Sequence, residues 1–122
     1  MADGAPVQVE LDIFSGRPNP QWLFPAASVH RVVEQVMRSP DSIPAPPVPG
    51  LGYRGFIVSN PPGSQLLPAA IRVYNGTISL ISRKGGGTIQ DSVGLEQELI
   101  ADATRLGFGS VIEQGRARRS SG

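Results

Sequence analysis

Two stretches of this chain gather the residue types that could bind or react. The first runs Asp12-Ile13-Phe14-Ser15-Gly16-Arg17-Pro18-Asn19-Pro20-Gln21-Trp22 and holds the only tryptophan. As a binding loop, Arg17 would grip a carboxylate or other anion, Asn19 would present its amide, and Trp22 would wall a pocket. The bland alternative is that Arg17 turns back onto Asp12 while Trp22 anchors the loop in the core. Because a lone Trp most often packs, that second reading is favoured.

The second stretch is Gly50-Leu51-Gly52-Tyr53-Arg54-Gly55-Phe56. Tyr53 and Arg54 could sit at the mouth of a site, with glycines letting the backbone approach a ligand closely. Structurally, Gly50 and Gly52 would turn the chain into a strand, and Gly55 would make room for a neighbouring ring or mark a bulge. It is no nucleotide fingerprint, because the spacing is wrong and a strand, not a helix N-terminus, follows.

Other motifs fall away sooner. Arg83-Lys84-Gly85-Gly86-Gly87 places its lysine before the glycines, the reverse of a phosphate loop, and reads as a hairpin loop. His30 is the single histidine, expected on the wet face of a helix with Glu34 one turn on. With no cysteine in the chain, those two cannot complete a zinc site, so no metal and no cofactor is expected. The PxxP spacing in Pro44-Ala45-Pro46-Pro47-Val48-Pro49 suits a spacer better than a ligand.

What chemistry survives is narrow. Absent cysteines remove thiol catalysis, disulfides and thiolate metal sites together. Ser–His–Asp catalysis would need His30, which has no nucleophile signature beside it. Carboxylates and tyrosines could still move protons, with arginines steadying negative charge. Glu10, Asp12, Arg17, Tyr53, Arg54 and Tyr74 are the groups available for it.

The elements that must position these residues come from period and turn chemistry. Val7-Gln8-Val9-Glu10-Leu11-Asp12-Ile13 alternates apolar and polar, a strand with Val7, Val9, Leu11 and Ile13 inward. The prolines after it make a rigid loop. Pro25 to Arg38 carries Val29, Val32, Val33, Val36 and Met37 as one helical stripe. Residues 39–52 form a Pro-rich extended connector, and Tyr53 to Asn60 is a second strand. Asn75-Gly76 between Ile71-Arg72-Val73-Tyr74 and Thr77-Ile78-Ser79-Leu80 is a two-residue hairpin turn. It pairs Tyr74 with Thr77, Val73 with Ile78, Arg72 with Ser79 and Ile71 with Leu80. Thr88 to Asp91 can return as a short strand. A helix from about Gly94 to Leu106 points Leu95, Leu99, Ile100, Ala103 and Leu106 inward and closes on a Gly107 cap. Ser110 to Glu113 can form a further strand.

The expected fold is α+β, in the order β-α-β-β-β-(β)-α. A mostly antiparallel sheet of four to five strands carries two helices on one face. Residues 1–113 make one domain, and 114–122 are expected to be a disordered basic tail. If the first strand and the hairpin share a sheet, Glu10, Asp12, Arg72, Tyr74 and Ser79 share its wet face.

With 122 residues and a net charge of +1, the chain has a core's length and no basic excess to neutralise a phosphate backbone. Nucleic acid is therefore not the favoured partner. No signal peptide or membrane-length apolar run is seen, so a cytoplasmic location without membrane contact is expected. The functional expectation is a small non-catalytic binding or interaction module, its partner a small molecule, a protein or a second copy of itself. The alternative is a cofactor-independent isomerase, cyclase or hydrolase using carboxylate, Tyr and Arg. Candidate binding residues are Asp12, Arg17, Asn19, Trp22, Tyr53, Arg54 and Tyr74.

Overall fold

The unbroken alternation of the first strand decides the layer that everything else packs on. In the computed structural model this strand is β1, Val7–Leu11, with Val7, Val9 and Leu11 wholly buried and Gln8 and Glu10 half-buried. The structure describes residues 6–14, 18–25, 27, 29–32, 34, 43–44, 47, 52–60, 70–81, 87–91 and 94–121, with side chains as far as 115. Arg17, the connector's Gly50 and Leu51, and the Arg83–Gly86 stretch lie outside the described residues.

Further strands are β2 (Gln21–Phe24), β3 (Phe56–Ser59), β4 (Ala70–Tyr74), β5 (Thr77–Ile81) and β6 (Thr88–Gln90). They form one antiparallel sheet in the order β2-β1-β3-β4-β5-β6. Helical backbone follows β2 at 27, 29–32 and 34 (α1), and α2 (Leu95–Arg105) and α3 (Gly109–Ser121) end the chain. The class is α+β as expected, with six strands and three helices among the described residues instead of four to five and two.

The hairpin agrees residue for residue. Asn75 and Gly76 take positive φ, and the four expected pairs are the four observed, extended by Ala70 with Ile81. Inward residues of neighbouring strands line up in rows. Val9, Val58, Ile71 and Leu80 make one, and Leu11, Phe56, Val73 and Ile78 the next. Val29 and Val32 of α1, Leu95, Leu99 and Ala103 of α2, and Ile112 of α3 close over them in one cluster. Each valine, leucine or isoleucine among them contributes about 1.5–3 kcal/mol when taken out of water. The α2 terminus also follows its sequence. Gly107 (φ 100°) donates to Thr104 O and Phe108 donates to Ala103 O, the paired bonds of a glycine-closed helix end.

Five expectations are corrected. β2 was not foreseen, because Gln-Trp-Leu-Phe lacks clean alternation and sits among prolines. Prolines are compatible with an edge strand, and Pro20 still lends its carbonyl to Leu11 N at 3.0 Å. Residues 110–113, expected as a strand, and 114–121, expected as a disordered tail, are helical backbone in α3. The helix leaves no apolar stripe for periodicity to find because, beyond Ile112, its close contact is made by a glycine. A Cβ on Gly115 would lie 2.8 Å from Tyr53 N, and one on Gly52 would lie 2.7 Å from Gly115 O. Two facing glycines thus let α3 approach the loop before β3. Leu106, expected inward, is exposed past the last turn. Tyr74, expected on the wet face, is only 3% exposed. Gly55 opposite leaves its ring space to fold against Tyr53, with centroids 5.8 Å apart.

Candidate functional site

A break in the β1–β3 ladder builds the site. Asp12 N donates to Gly55 O at 3.0 Å, while Arg54 N, not Gly55 N, donates to Asp12 O at 2.8 Å. Two residues therefore oppose one, a β-bulge. Gly55 adopts φ 87°, and a Cβ there would meet Val73 O at 2.4 Å and Tyr74 Cβ at 2.7 Å. Alternation through Tyr53-Arg54-Gly55-Phe56 would put Arg54 beside Phe56, inside the core. The bulge reverses this, sending Arg54 to the outer face and Tyr53 to the inner one.

On the outer face Arg54 meets Asp12. Its Nε donates to Asp12 Oδ1 at 3.1 Å, and its Nη2, 3.0 Å from the same oxygen, donates to Phe14 O at 2.8 Å. From β4, Arg72 Nη1 donates to Asp12 Oδ2 and to Arg54 O, at 2.8 and 2.7 Å. Asn19 completes the group. Its Oδ1 accepts from Ile13 N and Phe14 N, and its Nδ2 donates to Glu10 Oε2 (2.8 Å) and Asp12 Oδ1 (3.3 Å). The amide that could have been offered to a ligand instead staples the loop to β1. Burial of Asp12, which is 8% exposed, works to raise its pKa. Hydrogen bonds from Arg72 and Arg54, together with their charges, outweigh that, and the carboxyl stays below the usual carboxylate range.

On the inner face Tyr53 reaches α2. Its hydroxyl donates to Glu96 Oε2 at 2.6 Å, and the same carboxylate accepts Asn75 N at 3.1 Å and Gly76 N at 2.8 Å. Glu96 is 8% exposed and is held in turn, since Asp91 accepts from Leu95 N and Glu96 N at 2.8 Å each. One acid thus caps the helix start while the next ties the hairpin turn to it.

The seven candidate residues therefore divide. Asp12, Asn19 and Arg54 converge; Tyr53 and Tyr74 pack together elsewhere; Arg17 lies outside the described residues. Trp22 belongs to neither group. Its ring stacks on Phe108 at 5.8 Å and meets Phe56 edge-on at 6.3 Å, as an anchor does. His30, expected in solvent, is half-buried with Nε2 enclosed. Glu96 was missed, because a carboxylate in the first turn of a helix ordinarily reads as a wet-face residue. Only the pairing of turn, bulge and helix reveals its place. Among the described residues no three His, Asp or Glu side chains gather as a metal site would need, and no helix is long and apolar enough to cross a membrane.

Comparison with known proteins gives no match to a family model, to a curated protein or to a solved structure.

Proposed function

We propose that the chain is a non-catalytic binding or interaction module working in the cytoplasm. The observation that supports this most is that the acid–base candidates Asp12 and Tyr53 are already engaged. Both oxygens of Asp12 are taken by guanidinium and amide donors, and the Tyr53 hydroxyl is given to Glu96. A general base needs a lone pair it can turn to substrate and a pKa near the working pH. Asp12 is buried with a donor on each oxygen, and the direction of its shift takes its pKa further from that range. The same contacts fix loop, bulge and hairpin into a rigid sheet, the requirement for presenting a surface to a partner.

The test is a carbon-detected NMR titration of the Asp12 carboxyl. The module reading expects ionisation below the ordinary aspartate range, with no change across pH 5 to 8. A midpoint inside that interval would mark Asp12 as an acid–base catalyst and overturn the reading.

A further inference from the structure

The two edges of the sheet differ in what lies against them. On β6 the outward Thr88 carbonyl accepts Ile43 N at 2.9 Å, so Ile43 of the Pro-rich connector lies against that edge. On β2 no strand lies beyond among the described residues. Because Leu11 N donates to Pro20 O, alternation turns Trp22 and Phe24 toward β1 and leaves Gln21 and Leu23 with N–H and C=O facing out. Pro25, next in that outward series, has no N–H to offer. The strand carries no charged side chain, and Leu23 is 59% exposed. Shortness and flanking proline are therefore the visible protections against pairing.

Behind the same strand lies an open cleft of about 360 Å³, lined by Phe24, Glu98, Ala101, Asp102 and Arg105. Phe24 ends β2 and walls the cleft, which makes edge and cleft continuous. The four α2 residues sit at i, i+3, i+4 and i+7, the stripe beside the one that enters the core. Asp102 is paired with Arg105. Among the described residues the Glu98 carboxylate has no partner, so an apolar floor of Phe24 and Ala101 carries one uncompensated negative charge.

Resting on the module reading, we propose that β2 and this cleft form one site for an extended basic segment of a partner protein. The segment adds as a further antiparallel strand on Gln21 and Leu23, and its side chains alternate between the sheet's two faces. On the helix side a Lys or Arg lays its aliphatic stem across Phe24 and Ala101 and brings its cation to Glu98. Backbone pairing supplies the strand's placement, and the carboxylate selects charge.

Fluorescence anisotropy of the full chain with a labelled peptide alternating lysine and threonine tests this. Binding is expected, with at least about tenfold loss when alternate backbone nitrogens are methylated, because two ladder bonds disappear. Glu98→Gln should weaken it about fivefold at low salt, and Glu113→Gln on α3 should leave it unchanged. Equal binding of a glutamate–threonine peptide, no binding at all, or indifference to Glu98→Gln would overturn the proposal. So would a sedimenting dimer abolished by Leu23→Pro, since the occupant would then be a second copy. Each of those leaves the low Asp12 midpoint, and with it the module reading, standing.

Discussion

Asp12 and Glu96 are both buried carboxylates, equally shielded, yet they are satisfied in opposite ways. Asp12 faces two guanidinium groups, so its partners bear full charge. Glu96 faces two backbone N–H groups and a phenol, all neutral. The first arrangement is an electrostatic lock, in which removing the anion strands two cations. The second is a geometric clamp, in which what matters is acceptors placed between a turn and a helix. Both depend on one bulge, which throws Arg54 to one carboxylate and Tyr53 to the other.

The largest effect should therefore come from the bulge itself. Gly55→Ala places a Cβ against the Val73 carbonyl and at a positive φ, breaking lock and clamp together. About 4 kcal/mol of stability should be lost in urea unfolding, or the chain should fail to fold. Asp12→Ala should cost about 3 kcal/mol, since it leaves Arg54 and Arg72 partly buried and facing each other. Glu96→Gln keeps one carbonyl acceptor and should cost about 1.5 kcal/mol; Tyr53→Phe, losing one hydroxyl, about 1 kcal/mol. If Glu96→Gln proved worse than Asp12→Ala, the distinction between lock and clamp would collapse.

Acid sharpens the same contrast. Asp12 has a folded pKa below its unfolded value, so the folded state holds the proton less tightly. Its contribution is complete above the unfolded pKa of about 3.9 and fades as pH falls through the lower folded value. The stability gap between the native chain and Asp12→Asn should hold constant from pH 7 to about 5 and then narrow below about 4. A gap that widened on acidification would contradict the lock.

How much of this could be read from the chain alone follows from the kind of signal each part leaves. β1, the hairpin and α2 write themselves as period and turn chemistry, because each buries one face and turns on one glycine. The lock's members Asp12 and Arg72, with Glu10 on the same face, were placed together by that alternation. Arg54 joined them only through the bulge, which a two-residue period cannot express. The glycine pair Gly52 and Gly115 likewise packs α3 by the absence of side chains, so no apolar stripe announces the contact. Glu96 is invisible for a third reason, since its partners come from turn backbone and from a tyrosine 43 positions away.

The account stands on Asp12 and Arg54 being held by each other and not reserved for a ligand. A double-mutant cycle with Asp12→Ala and Arg54→Ala at pH 7, read by urea unfolding, measures that directly. It should return a coupling energy of about 1.5 kcal/mol or more. Two near-neutral single variants with no coupling between them would show both side chains free for other work.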